Sequence, residues 1–179
     1  MNDKKMYVFA GPNGSGKSTA INNFINKKKI PDMYICPDNF IAKGEEDNNK
    51  NKKARMFCEF LRYKCIEMGI SFCFETVLSN PDKIEFIKYA QRNGYKVITF
   101  YFVTSDPAIN IERVAKRVSE GGHNVPKDII VEIYYKCMGL MDEVVRISDD
   151  AYVYDTSKTE GKPKLLFLKD SWIRKYIHI

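Results

Sequence analysis

A three-layer α/β fold, with a mostly parallel sheet of five to six strands and helices on both faces, is the architecture this chain predicts. Three observations carry that expectation. Apolar, β-favouring runs alternate with helix-patterned segments along most of the 179 residues, the order that builds βαβ units. A glycine-rich turn separates the first apolar run from the first helical pattern. Prolines and glycines punctuate the joins where helices start and stop.

In order, residues 6–10 read as a strand and residues 16–26 as a helix. A second strand is expected at 33–36 and a long helix at 52–68, with Gly69 closing it. Between them, residues 43–50 are polar and charged, the composition of a loop or a frayed helix start. Residues 71–74 form the third expected strand and 81–92 the next helix, with Asp82 beside Pro81 read as a cap and Gly94 as the stop. The apolar run 96–103 is the fourth strand. Asp106 before Pro107 caps a helix over 107–119, and Pro126 opens another over 127–147. Residues 120–126, between those helices, form a glycine-hinged connection. Strands follow at 151–154 and 165–168, while 172–177 suits either a short closing helix or an edge strand.

Length and composition fit a single domain over residues 1–179 with its own core. No apolar run approaches membrane-spanning length and the first residues do not read as a signal peptide, so a cytoplasmic protein without membrane association is expected. Five cysteines, odd in number and without a C-x-x-C pair, read as buried thiols, and two histidines are too few for an expected zinc site. The net charge of +6 favours anionic ligands, although the lysine runs at 27–29 and 50–53 read as solvated surface.

The chemistry begins at Gly11, Pro12, Asn13, Gly14, Ser15, Gly16, Lys17, Ser18 and Thr19, which fit G-x-x-x-x-G-K-[ST] and one residue beyond. A strand, a tight turn and a helix start aim backbone N–H groups and the positive helix end at phosphate oxygens. Lys17 adds a charge for the terminal phosphates, and the Ser18 hydroxyl is the expected Mg²⁺ ligand. An ATP or GTP site follows. Ligands of open α/β sheets lie beyond the carboxyl ends of the strands, which draws attention to Asp38, Glu75 and Thr76. Asp38 is the candidate base for an attacking hydroxyl, with a turn aspartate as the plain alternative. Glu75 ends an apolar run and is read as holding substrate hydroxyls or the magnesium shell, against a structural ion pair. Arg113 and Arg117 stand four apart on one helix face and enter the glycine hinge, as a lid around 113–126 would need; His123 is a hydrogen-bonding residue of that lid.

Together these residues resemble the zeta toxin family of phosphate-loop kinases. The likeness runs through residues 11–19, Asp38, the string Phe74-Glu75-Thr76-Val77-Leu78-Ser79, Gly94-Tyr95-Lys96-Val97 and Tyr101-Phe102-Val103. Its most distinctive part spans 113–118 and Gly121-Gly122-His123-Asn124-Val125-Pro126. The resemblance implies an ATP- or GTP- and Mg²⁺-dependent kinase acting on a hydroxyl of a small molecule, with a UDP-N-acetylamino sugar as acceptor in the family's studied toxins. It casts Asp38 as base, Lys17 as phosphate lysine, and Arg113 and Arg117 as phosphate-side arginines. Asp38, Glu75, Thr76 and His123 are cast on the substrate side. An antitoxin partner follows by family analogy alone. One departure stands out: the arginine pair that the family often carries after the Gly-Gly-His motif is replaced here by Glu132-Ile133-Tyr134-Tyr135-Lys136. Two other readings keep the loop: a polynucleotide 5′-hydroxyl kinase, ranked lower for want of an obvious single-strand groove so that nucleic acid is not the expected partner, and a non-catalytic nucleotide-binding regulator.

Overall fold

A computed structural model of the chain describes residues 3–27, 29–31, 33–40, 48–158, 162–169 and 174–176. Its order is β1 (Lys5–Ala10), α1 (Lys17–Asn26), β2 (Tyr34–Ile35), a 3₁₀ turn (Pro37–Phe40), α2 (Asn48–Met68), β3 (Phe72–Thr76), α3 (Asp82–Arg92), β4 (Lys96–Val103), α4 (Pro107–Ser119), α5 (Lys127–Ile147), β5 (Asp150–Asp155), β6 (Lys164–Lys169) and β7 (Arg174–Tyr176). The strands form one sheet in the order β2-β3-β1-β4-β5-β6-β7. The β2–β5 portion is parallel and β6 and β7 add on antiparallel. The C-terminal segment, open between helix and strand in the sequence, supplies β7 and brings the sheet to seven strands.

Alternation along each strand divides the core in two. Met6, Val8, Ala10, Phe72, Phe74, Val97, Tyr101 and Val103 face one side, packed with α2, α3 and α5. Phe9, Ile98, Phe100 and Phe102 face the other with Ile21 and Phe24 of α1. On that second face the rings stack across strands, Phe9 on Phe100 at 5.0 Å and Phe100 on Tyr152 at 5.0 Å. Such pairs add to the area they bury and help set register.

Local signals behaved mostly as expected. Asp106 caps α4, accepting from the Ala108 N–H at 2.7 Å, and Pro107 takes the first turn. Asp82 does not cap α3. The Asn80 side-chain oxygen does so, accepting from the Asp82 N–H at 3.0 Å, while Pro81 between them takes the first turn, where its missing N–H leaves no donor to satisfy. Residues 43–47 of the polar segment lie outside the described residues, and 48–50 already belong to α2. All five cysteines are buried thiols. No helix among the described residues is long and apolar enough to cross a membrane.

The Tyr95 hydroxyl lies 2.7 Å from Cys65 O and 2.8 Å from Ile70 O, tying the end of α2 to the start of β4. Tyr95→Phe is expected to cost about 1–2 kcal/mol, seen as a lower Tm, because both carbonyls lose the hydroxyl and Cys65 O keeps only the Ile70 N–H. An unchanged Tm would show that water reaches them.

Candidate active site

Register brings the carboxyl ends of four strands to one level. Ala10 at the end of β1 stands opposite Thr76 of β3 and Tyr101 of β4, and Val103 stands opposite Asp155 of β5. The chain leaves β1 into the turn 11–16, which is clamped on two sides. A Cβ on Gly11 (φ 139°) would lie 2.2 Å from Phe102 O, and one on Gly14 (φ 75°) would lie 2.7 Å from Asn110 O. No other residue fits either position, which explains Gly11, the first glycine of the motif, and Gly14 within it without reference to a ligand; the motif's second glycine, Gly16, meets nothing and is favoured by its left-handed φ of 85° alone.

Five successive carbonyls of that turn are held by other parts of the chain. Lys17 Nζ donates to Gly11 O and Pro12 O, each at 2.8 Å. The Asn110 amide donates to Asn13 O, with its own oxygen accepting from the Thr104 hydroxyl. Arg113 Nη1 reaches Gly14 O at 3.4 Å, and the Thr156 hydroxyl stands 3.1 Å from Ser15 O. A turn whose carbonyls are already taken leaves N–H groups for an anion, as an anion-binding nest does, although the Ser15 N–H itself lies 3.2 Å from Pro12 O. Ser15 Oγ and Asn13 Oδ1 are buried there without a partner among the described residues. Buried polar atoms in a native fold are nearly always satisfied, so these two fit a bound polar group.

Lys17 is almost fully buried, and burial lowers its pKa from 10.5 to about 8, with the Glu75 carboxylate pulling the other way. Beneath it the buried Cys137 thiol is pushed up to about 12, so it is an uncharged wall of the site. Ser18 Oγ donates to Glu75 Oε2 at 2.8 Å, and the Cys36 thiol lies 3.8 Å from the other carboxylate oxygen. A hydroxyl and a carboxylate side by side beneath the phosphate loop are hard oxygen donors of the kind Mg²⁺ prefers.

The remaining expected residues fall in different places. Asp38 sits in the 3₁₀ turn directly after β2, at the same edge of the sheet; its side chain is outside what the structure describes. The Thr76 hydroxyl accepts from the Leu78 N–H at 3.2 Å and holds Leu78 in a left-handed conformation (φ 52°), a strained turn beside the site. Arg113 and Arg117 part company. Arg113 is half-buried and donates to Thr156 O at 2.6 Å, so it staples the segment after β5 to the phosphate loop. Arg117 is exposed and donates to His123 O at 2.6 Å, within the glycine-hinged connection. It is still near enough to oppose the charge on Lys17.

Sequence reasoning passed over Asn110 and, although Thr104 and Thr156 stand just after strands, gave neither of them a role. For Asn110 a signal existed: it stands four residues before the buried Val114, on the inward face of α4, where the helical pattern calls for an apolar residue. The pairing of Thr156 with Ser15, far apart in the chain, left no local trace.

A strand, a glycine turn with a buried lysine and a helix, set in a parallel sheet with a carboxylate from the neighbouring strand, define a nucleotide-binding α/β protein of the phosphate-loop class. More narrowly, the zeta toxin family model matches residues 2–161, and the chain belongs to that family. An uncharacterized protein of Haemophilus influenzae is 32% identical over 133 residues, spanning 70% of this chain and 89% of that one. Among solved structures, one from the PezAT chromosomal toxin-antitoxin system of Streptococcus pneumoniae superposes with a TM-score of 0.68 at 17% identity, covering 94% of this chain and 72% of the other. The AvrRxo1-ORF1:ORF2 complex with ATP superposes at 0.72 and 14% identity, covering 97% of this chain and 60% of the other. At such identities the superpositions establish the fold; family membership marks a kinase-like nucleotide phosphotransferase.

Asn110→Ala removes the donor to Asn13 O and strands the Thr104 hydroxyl, so a loss of about 1–3 kcal/mol in stability is expected, with faster hydrogen exchange at residues 13–16. Unaltered exchange in the turn would show that the glycine clamps alone hold its shape.

Proposed function

We propose that this protein transfers the terminal phosphoryl group of ATP or GTP to a hydroxyl of a small molecule, with a UDP-N-acetylamino sugar as the acceptor that family resemblance favours. The observation that carries the reading is the Ser18–Glu75 hydrogen bond beside the buried Lys17, which assembles phosphate and metal ligands at one point. Mg²⁺, held by Ser18 and through Glu75, would supply charge neutralisation for the phosphates. In this reading the amides of residues 13–18 cradle the phosphates, and Lys17 exchanges its two carbonyl partners for phosphate oxygens.

Asp38 orients the acceptor hydroxyl and takes its proton as the oxygen bonds to phosphorus and the bond to the nucleoside diphosphate breaks. Thr76 and Glu75 line the acceptor side. Arg113 anchors the loop, while Arg117 and His123 belong to a lid over 113–126 of a single domain, which closes when Arg117 leaves His123 O for the transferring phosphate. An antitoxin partner belongs to the same reading, supported by the toxin-antitoxin system among the similar structures.

The test is transfer of label from γ-labelled ATP with Mg²⁺ to a metabolite extract, followed by mass spectrometry. Asp38→Asn is expected to leave ATP affinity nearly intact and lower turnover by about 10²–10⁴, the usual worth of a positioned base. Normal turnover in that variant removes Asp38 from the mechanism. Lys17→Ala should weaken nucleotide binding and turnover together; survival of both rejects the phosphate-loop role.

Acid–base behaviour gives an independent check. Nucleotide-free Lys17 loses its proton above about pH 8, whereas phosphate favours the charged form. ATP affinity is therefore expected to fall as pH rises past that point, by up to about tenfold per unit. Stability of the free protein should move the opposite way. The folded state holds fewer protons on Lys17 than the unfolded state between about 8 and 10.5, so stability rises with pH through that window. Lys17→Met flattens both trends, and a pH-independent affinity in wild type would sink the assignment.

A further inference from the structure

Helix α2 has two apolar stripes, and the body of the protein covers one. Ala54, Cys58, Cys65 and Ile66 are buried against the sheet and α3. On the opposite side Met56, Phe57 and Phe60 are 61%, 46% and 54% exposed, while Tyr63 between the two sides packs its ring against Phe86 and Tyr89 of α3. Phe40, 49% exposed, extends the patch, its ring edge-on to Phe57 at 5.1 Å. A helix apolar on both sides is ordinarily buried on both. Met56 and Phe57 stand four and three residues before Phe60, the spacings that put side chains on one helix face for packing against another helix.

Charge is unevenly placed on the same helix. It carries six basic residues against two acidic ones, most of the net +6 of the chain. Arg62 is buried over the Phe74 and Phe86 rings, and Lys64 is paired with Glu67 at 2.6 Å. The exposed positive charge therefore gathers at the amino half, on Lys52, Lys53 and Arg55.

We propose that the outer face of α2, with Phe40, binds one acidic amphipathic α-helix of a partner protein. Its apolar side would pack on Met56, Phe57 and Phe60 while its carboxylates meet Lys52, Lys53 and Arg55. A second copy of this chain would bring to that positive half-helix only the two acidic residues of its own α2, Glu59 and the Lys64-paired Glu67. A single-stranded nucleic acid would run its phosphates past Glu59 and Glu67, and Met56 offers no ring for a base. Phe40 lies two residues beyond Asp38, so a helix seated there stands over the turn that presents the acceptor base. Resting on the kinase reading, the partner thereby shields the acceptor side.

The test uses a fluorescein-labelled designed helix with leucines on one face and glutamates flanking them, and a twin with lysines for glutamates, both titrated with nucleotide-free full-length protein by anisotropy. The acidic helix is expected to bind and the basic twin not, with affinity falling as salt rises. Phe60→Glu and, separately, Met56→Glu should each raise Kd by about tenfold or more while leaving Tm unchanged, since both side chains are exposed. Equal binding of the twins, or full binding to both variants, overturns the proposal. So does tighter binding of an oligouridine probe at the same salt that Phe60→Glu abolishes, or a sedimenting dimer that Phe60→Glu dissolves. Saturating acidic helix should also stop phosphoryl transfer by active wild type; unchanged transfer overturns the shielding. Because anisotropy is read without nucleotide, a failed surface and a failed kinase assignment give different results.

Discussion

The capture of the backbone carbonyls after β1 by side chains from other elements is the constraint from which the site follows. A turn of this length can point either its carbonyls or its amides into the concave side. Here Lys17 of α1, Asn110 and Arg113 of α4, and Thr156 after β5 take the carbonyls. The polarity of the cradle is thus a tertiary property, even though the turn itself is a local motif. It also explains why the two glycines cannot be replaced: the elements that hold the turn stand so close that a methyl group would collide with backbone.

That closeness has an electrostatic consequence. Lys17 is buried with two carbonyls as partners, and its charge is costly enough to bring the pKa near 8. An ammonium poised in this way gains more from a phosphate than one already solvated, because its desolvation has been met during folding. Glu75 lowers that cost by proximity and holds Ser18 ready. The two arginines divide into a fixed one that joins loops and an exposed one on a hinge, a distinction that their shared helix face concealed.

The core that supports these groups is made of alternation and ring stacking more than of special contacts. Strand-end carboxylates and hydroxyls are level because Phe9, Phe100, Phe102 and their neighbours keep the strands in register. The outer face of α2 gathers Met56, Phe57 and Phe60 in water beside Phe40, more large exposed apolar side chains than α4 or α5 shows. Proximity to the Asp38 turn makes that face more than a local anomaly.

Periodicity and punctuation in the chain were enough to specify β4, α4 and α5 to the residue, because each carries a long unambiguous pattern bounded by Pro, Asp or Gly. The phosphate loop was equally legible, its requirements being local: glycines at fixed offsets, a lysine, a hydroxyl. Short edge elements were not. β2 shrank to two residues and β7 emerged from a segment that local propensity left undecided, since an edge strand is defined by the neighbour it pairs with. The partners of the loop carbonyls, the separate fates of Arg113 and Arg117, and the meeting of Ser18 with Glu75 across 57 residues were decided only in three dimensions. Side chains that act by closing distance between remote strands leave no spacing in the sequence to read.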